Sequence, residues 1–475
     1  MKIFPITKAY KLCFICTAAL LPFSIPSKKA EAAEITVTDV KELNKALSDA
    51  EDKASKDEPY TISVQAGDYK LDYAVNMPSY TTLVSGPETI ISCRQEEYAV
   101  LITGASDAVI DGGCFKGSGI FSKGGQNITI KNTTVESAPV CGILIKNNNK
   151  QVSVEGNTIK KAGRFSIALM GADFQGSIEK NTITQSEDIG MYLYTSSFKG
   201  DISGNTIKNC KRTGIYAGIT AIDGDIKNNT FKNVKGHGIG IYHGSHANAI
   251  DGNKMDGIGG YNNGGNGDCG IMINGDEGKG KKATPTYVES ITNNIIKNVT
   301  YSGIKLYSGP SGASDDSKAN QDKTYVKNDI KGNTLYNIGT YKHSKDWKKE
   351  IQNGGRYGAQ TGIYIDAHAR VYGNICQNKI TKTNLHGIYM RVGAVAKDIY
   401  NNTITDTVED GICINKKAKV TGSIKNNKIT NVKTCGICVR EGAVVNKVSG
   451  NTFKKIGYKN IFVTSNGKIK KNSQK

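Results

Sequence analysis

One residue type sets the period of this chain. Asparagine returns at steps of 24 or 25 residues, at Asn132, Asn157, Asn181, Asn205, Asn229 and Asn253, and again at Asn378, Asn402, Asn427 and Asn451. Nine residues after most of these stands a Gly or Ser, followed by Ile or Met and alternating apolar residues, as in Gly214-Ile215-Tyr216 and Gly238-Ile239-Gly240. Two fixed marks per period define a stacked unit that buries its core only against its neighbours. The residue types select strands over helices. The segment Gly224–Val234 carries Ile, Thr, Phe and Val at strand-like spacing, with Gly and Asn at its bends and no apolar stripe of period 3.6. The expected fold is all-β, a single-stranded parallel β-helix.

Asparagine tolerates the left-handed backbone of a sharp bend between strands. With coils spaced by ~4.8 Å, its amide reaches the same amide in the next coil. The column therefore reads as a structural ladder along one corner. In this repeat and its two marks the chain resembles the right-handed β-helix repeat family, which holds pectate lyases, polygalacturonases and alginate epimerases. The resemblance covers nearly all of the chain after residue 32 and implies a right-handed β-solenoid. It does not choose an activity, because one such fold carries many.

Lys2, Lys8 and Lys11 precede an apolar run from Leu12 to Phe23, and Ala30-Glu31-Ala32 follows. This pattern predicts a secretory signal over residues 1–32, with an apolar stretch too short to span a membrane. The expectation is an exported, extracellular or wall-associated monomer with no membrane span. Residues 33–107 are read as an N-terminal cap and the first coils. Asp39 and Glu42 have capping-box spacing, and Leu43, Ala46, Leu47 and Ala50 share one face of an amphipathic helix over 39–54. Regular repeats are expected over 108–466 and a basic tail over 467–475.

Lysine and arginine exceed aspartate and glutamate by 62 to 43, a formal charge of +19. Such an excess favours polyanionic partners. For an exported chain that means an anionic, uronate-containing polysaccharide or the cell wall rather than nucleic acid. Lysines at turn positions, such as Lys160, Lys208, Lys232 and Lys297, account for the same excess as a solvated surface. Of 11 cysteines, Cys13 and Cys16 fall in the signal, and the odd remainder cannot all pair. Cys413 and Cys438 share one slot a coil apart, within reach of a disulfide, and Cys269 and Cys435 share another. Cys435 and Cys438 lack the second half of a zinc motif, so no metal site is expected and the thiols read as buried or stacked.

Function is expected where the repeat breaks. Insertions fall at about 255–269, 274–290, 307–328 and 334–361, at both ends of the Gly-Ile strand on neighbouring coils. They predict two walls around one face. With Ile and Leu inside, the outward columns of that face read Tyr192, Tyr216, Gly240, Met272, Lys305, Tyr364 and Tyr389, then Tyr194, Gly218, Tyr242, Asn274, Tyr307, Asp366 and Arg391. Tyr216, Tyr242, Asn274, Tyr307 and Tyr389 are the candidate substrate-binding residues of a sugar-binding groove. Tyrosines one coil apart also stack to stabilise an exposed sheet.

The strings His237 with its flanking glycines and Gly303-Ile304-Lys305 are similar to strings of polygalacturonases, which hydrolyse with clustered aspartates, yet Gly-Ile is this repeat's own consensus. Ile365-Asp366-Ala367-His368-Ala369-Arg370 resembles the Asp-Pro-His-Asp site of alginate epimerases, with Asp366 and His368 in matching places and Ala367 and Ala369 departing from the pattern. Lyase or epimerase chemistry needs a cation on the uronate carboxylate, a base for the C5 proton and an acid. The candidates are Arg391 or Lys305 for the charge, His368 or Tyr364 as base, and Tyr307 or Tyr389 as acid, with Asp366 orienting His368 or holding calcium. Calcium is the one cofactor left open, with Asp276, Glu277, Asp315 and Asp316 in insertions. The competing class is a non-enzymatic, carbohydrate-binding surface solenoid.

Overall fold

The computed structural model describes residues 33–147, 149–171, 173–261, 267–275, 284–308, 323–340, 360–464 and 466–474. The signal segment, the centres of all four insertions and the acidic candidates Asp276, Glu277, Asp315 and Asp316 lie outside the described residues. Strands Lys254–Ile258, Thr286–Thr292, Thr324–Val326 and Thr334–Ile338 occupy part of each expected insertion. The irregular segments are therefore shorter than the sequence suggested.

The repeat folds as a parallel β-helix. Each period contributes a Gly-Ile strand to a 15-stranded parallel sheet, and the remaining strands of the period build a second, 35-stranded sheet around the other sides. Equivalent residues meet in register, as in Ile215 with Ile239 and Ile239 with Ile271. Isoleucine and valine thus stack on themselves into one continuous core from Val37 to Val448. Helix α1, Val40–Lys53, closes the N-terminal end with Leu43, Ala46, Leu47 and Ala50 buried. Asp39 accepts the Glu42 amide at 2.8 Å, and Glu42 reaches back to the Thr38 amide, also at 2.8 Å, so the capping bonds form as the spacing predicts but one residue wider. Among the described residues no helix is long and apolar enough to cross a membrane.

The asparagine ladder is present, with two corrections. It runs from Asn157 through Asn181, Asn205, Asn229, Asn253, Asn294, Asn333, Asn378, Asn402 and Asn427 to Asn451, each side-chain amide donating at 2.9–3.0 Å to the next. Asn132 is not a rung. Thr133 takes that place, donating to Asn157 Oδ1 at 2.8 Å, while Asn132 bonds the half-buried Asp111. Nor do the rungs carry the left-handed backbone. The residue before each rung does, at Gly156, Lys180, Gly204 and Asn228 among others, which frees the rung to bury its amide. At the far end Gln474 accepts from the Asn451 amide at 2.9 Å, and Lys468–Ser473 pairs as the last strand, so the expected basic tail belongs to the solenoid.

Candidate functional site

The outer face of the 15-stranded sheet has three outward columns, and strict alternation reveals only two. A Cβ on Gly190 or Gly214 would meet Ile207 at 3.0 Å or Phe231 at 2.7 Å, both core side chains. The glycine slot and the isoleucine after it therefore both face inward. The residue before the glycine is consequently turned out, giving a column of Phe165, Ile189, Thr213, His237, Cys269, Ser302, Thr361, His386, Asp410 and Cys435. Sequence reasoning missed His237 as an outward residue, and His386 and Asp410 altogether. The available signal was that this slot changes from apolar to polar residues after Ile189 while the glycine beside it stays fixed.

The N-terminal half of the face is an aromatic stack. Phe165, Tyr192, Tyr216 and Tyr242 lie ring on ring at 4.3, 5.3 and 5.1 Å, and Tyr194, 40% exposed, flanks Tyr192 at 5.9 Å. Beyond it the columns turn polar, and the expected open groove is not seen at its centre. Asn274, Lys305, Tyr307, Tyr364, Asp366 and Tyr389 are all buried, at 2–6% exposure, although none belongs to the solenoid core. Side chains from neighbouring coils lie flat on one another here, as Tyr364 and Tyr389 do at 5.4 Å, and the two columns cross-link through Tyr364 and Asp366. The Lys305 ammonium sits 5.0 and 5.2 Å from the Tyr307 and Tyr364 ring centres.

Asp366 is the hub of this region. It accepts the Tyr364 hydroxyl at 2.6 Å, the Ala367 amide at 2.8 Å and Arg391 Nε at 2.8 Å. No hydrogen bond joins it to His368, the residue it was expected to orient, and its ion pair is with Arg391. Burial and the Asp366 charge hold the Tyr364 hydroxyl well above its ordinary range, in keeping with its donation to Asp366. Burial and the neighbouring Cys413 likewise push Tyr389 up. Arg391 is raised against the pull of burial by Tyr364 and Asp366, and its two Nη atoms have no hydrogen-bond partner among the described residues. His368 stands in a left-handed turn position (φ 63°) that is glycine in the equivalent turns at Gly244, Gly393 and Gly442 and lysine at Lys417 (φ 60°). Its Nε2 is buried without a hydrogen-bond partner.

Two further histidines are locked neutral. Burial lowers His237 to about 3, and its Nδ1 accepts the Cys269 amide at 3.0 Å, so Nε2 carries the proton. Burial lowers His386 to about 4, and its Nδ1 accepts the Asp410 amide at 3.3 Å. Both are hydrogen-bond donors rather than bases. The expected pairing of slots holds: Cys413 and Cys438 are register partners, and Cys269 and Cys435 share the outward column. All nine cysteines of the described chain are free thiols.

A solenoid with a varied polar and aromatic outer sheet is the class that fold and face define together. Residues 98–255 match the family model of the right handed beta helix region, and the fold is a right-handed parallel β-helix. No curated protein matches the chain in sequence. Similar solved structures include the catalytic unit of a thermostable GH87 alpha-1,3-glucanase from Streptomyces thermodiastaticus strain HF3-3, at 12% identity and TM-score 0.48, covering 82% of this chain and 67% of that one. The periplasmic alginate epimerase AlgG follows at 14% identity and TM-score 0.41, covering 93% and 84%. The tailspike protein of E. coli bacteriophage HK620, in complex with a pentasaccharide, is similar at 11% identity and TM-score 0.43, covering 89% and 76%.

Proposed function

We propose that the protein is exported and binds an acidic polysaccharide along the outer face of its 15-stranded sheet. The observation that carries this reading is the passage, on one face, from stacked and partly exposed tyrosines to a charged network that the core does not use. Tyrosine rings offer flat surfaces to the apolar faces of sugar rings. Arg391, with Nε held by Asp366 and both Nη atoms open, is oriented to receive a carboxylate in a fork geometry. From Tyr192 to Tyr389 there are six coil steps, or ~29 Å at ~4.8 Å per step, a length suited to a polymer rather than a small molecule. The formal charge of +19 adds long-range attraction for a polyanion.

A second reading, lyase or epimerase-like turnover of the same polymer, is favoured by His368. A histidine occupies a turn position where glycine is less strained, and its Nε2 has no partner. In that reading Arg391 neutralises the uronate carboxylate and His368 accepts the C5 proton. Hydrolysis by paired carboxylates receives less support, because Asp366 and Asp410 are each held by an arginine. Affinity electrophoresis through polygalacturonate, alginate and a neutral glucan tests the binding reading. Retardation by the acidic polymers that added salt relieves is the expected result. Equal mobility in all three gels overturns it. A rise in ultraviolet absorbance from unsaturated uronate ends, lost in His368→Ala, would establish lyase chemistry.

A further inference from the structure

Three consecutive coils bring five metal-ligating side chains together beyond the tyrosines. His386, Asp410 and Cys435 come from the column before the glycine, and Cys413 and Cys438 from the column two residues after it. Ligand atoms of His386, Asp410 and Cys413 lie within 4.8 Å of one another, and so do those of Asp410, Cys435 and Cys438. Asp410 joins the two groups. All five residues are buried, at 0–2% exposure. The absence of a second Cys-x-x-Cys half in the sequence is thus made good in space, by a cysteine one coil earlier and a histidine two coils earlier.

The surroundings orient these donors. His386 Nε2 lies 3.3 Å from Glu409 Oε2, while Nδ1, 3.5 Å from Asp410 Oδ2, faces the cluster and accepts the Asp410 amide, a bond that an ion bound at Nδ1 would replace. Arg440 places Nε 2.6 Å from Cys438 Sγ and Nη2 3.1 Å from Asp410 Oδ2. The Thr434 hydroxyl and the Cys435 amide donate to Asp410 Oδ1 at 2.6 and 3.2 Å. A carboxylate behind a histidine and hydrogen-bond donors on thiolate and carboxylate ligands are the outer contacts that tune metal sites. The scaffold has no need of such a cluster, since Phe165 and Ile189 fill the same slot in earlier coils with apolar side chains.

We propose that His386, Asp410, Cys413, Cys435 and Cys438 form a binding site for one thiol-preferring divalent cation, zinc being the best match to this sulfur, nitrogen and oxygen donor set. As the side chains stand, the donors form two groups of three that share Asp410, so a tetrahedral ion takes one group and draws its fourth donor from the other. Arg440 and Glu409 act outside that set, as positioning residues for Cys438 and His386. The rival use of the same thiols is a disulfide between the register partners Cys413 and Cys438.

Cobalt(II) titration of the full-length protein under reducing conditions tests the proposal. One equivalent should bind, with the intense visible bands of a tetrahedral ion and a thiolate charge-transfer band, both removed by one equivalent of zinc. Cys438→Ser should lose the thiolate band and Cys210→Ser should keep it. Glu409→Gln, at a partly exposed position, should weaken zinc affinity by ~10–100-fold. Should Cys438→Ser fail to fold, peptide mapping of the wild-type protein gives the same answer: zinc should slow alkylation of Cys413, Cys435 and Cys438 and leave Cys93 unaffected. No thiolate band in the reduced wild type overturns the site, as does zinc protection that spares these three cysteines. A Cys413–Cys438 disulfide as the only state able to form, with no cobalt uptake after reduction, assigns the thiols to the rival role.

Discussion

Two columns of this molecule have the same spacing and opposite characters. Along the asparagine corner one residue and one pair of bonds recur from coil to coil, each rung donating to the next amide and to a backbone carbonyl, as Asn205 does to Asn229 and Ile178. On the outer face of the 15-stranded sheet, equally regular backbone carries Phe165, then His237, then Cys269, His386 and Asp410 in a single slot. A position that never changes answers the solenoid's own requirement, the pairing of buried polar groups at a bend. A position that changes while its backbone does not is released from that requirement. The ladder should therefore govern stability, and the outer columns should govern what the rod binds.

Substitutions can break that division, and the largest effect is expected at the ladder. Asn205→Leu leaves the Asn181 amide groups and the Ile178 carbonyl buried without their partner. At ~1–3 kcal/mol per unsatisfied group the loss should reach about 4 kcal/mol, read from urea unfolding. A cost under about 1 kcal/mol would show that water reaches this corner.

The next effect is a pH slope from His237. With a folded pKa of about 3, the native ring stays neutral while the unfolded chain protonates near the usual ~6.5. The unfolded state then binds more protons between those values, so the stability is complete above ~6.5 and falls as the pH drops toward about 3. The slope approaches ~1.4 kcal/mol per pH unit, and His237→Asn, which keeps an acceptor for the Cys269 amide, should flatten it. An unchanged slope would mean the ring is hydrated in the native state.

A smaller stability effect sharpens the boundary between the two columns. Asp366→Asn weakens the bonds to Arg391 and Tyr364, and because Arg391 is partly exposed the cost should be about 1.5 kcal/mol in thermal or urea unfolding. That departs from the negligible effect expected of an exposed groove residue.

The fold was legible because period, glycine mark and asparagine are local signals repeated many times, and the buried face of α1 followed from four residues at helical spacing. The rung positions after Asn132 were legible too, although the left-handed residue was displaced by one, because Asn–Asn pairs such as Asn228-Asn229 and Asn401-Asn402 do not say which member bends. The outer face was legible only in part. Alternation placed Tyr364, Asp366 and Arg391 on one surface, but the ring contact of Tyr364 with Tyr389 and the ion pair of Asp366 with Arg391 run between coils, which no single strand encodes. His386, Asp410 and Cys435 were hidden by the bend at the glycine, where two successive positions face inward. Their meeting with Cys413 and Cys438 is a contact among three coils.

The smallest change in stability should accompany the clearest change in binding, and measuring both on the same samples is the most direct test. Tyr194→Ala removes the most exposed ring of the aromatic stack, one whose single stacked neighbour is Tyr192. Calorimetric titration with an acidic oligosaccharide should show affinity reduced at least ~5-fold, while urea unfolding shifts by no more than ~1.5 kcal/mol, the range of aromatic pair energies. Asn205→Ser should do the reverse, lowering stability while the folded fraction binds as the wild type does. Equal affinity in the tyrosine variant, with a stability loss matching that of the ladder variant, would contradict the division between a holding column and a binding column.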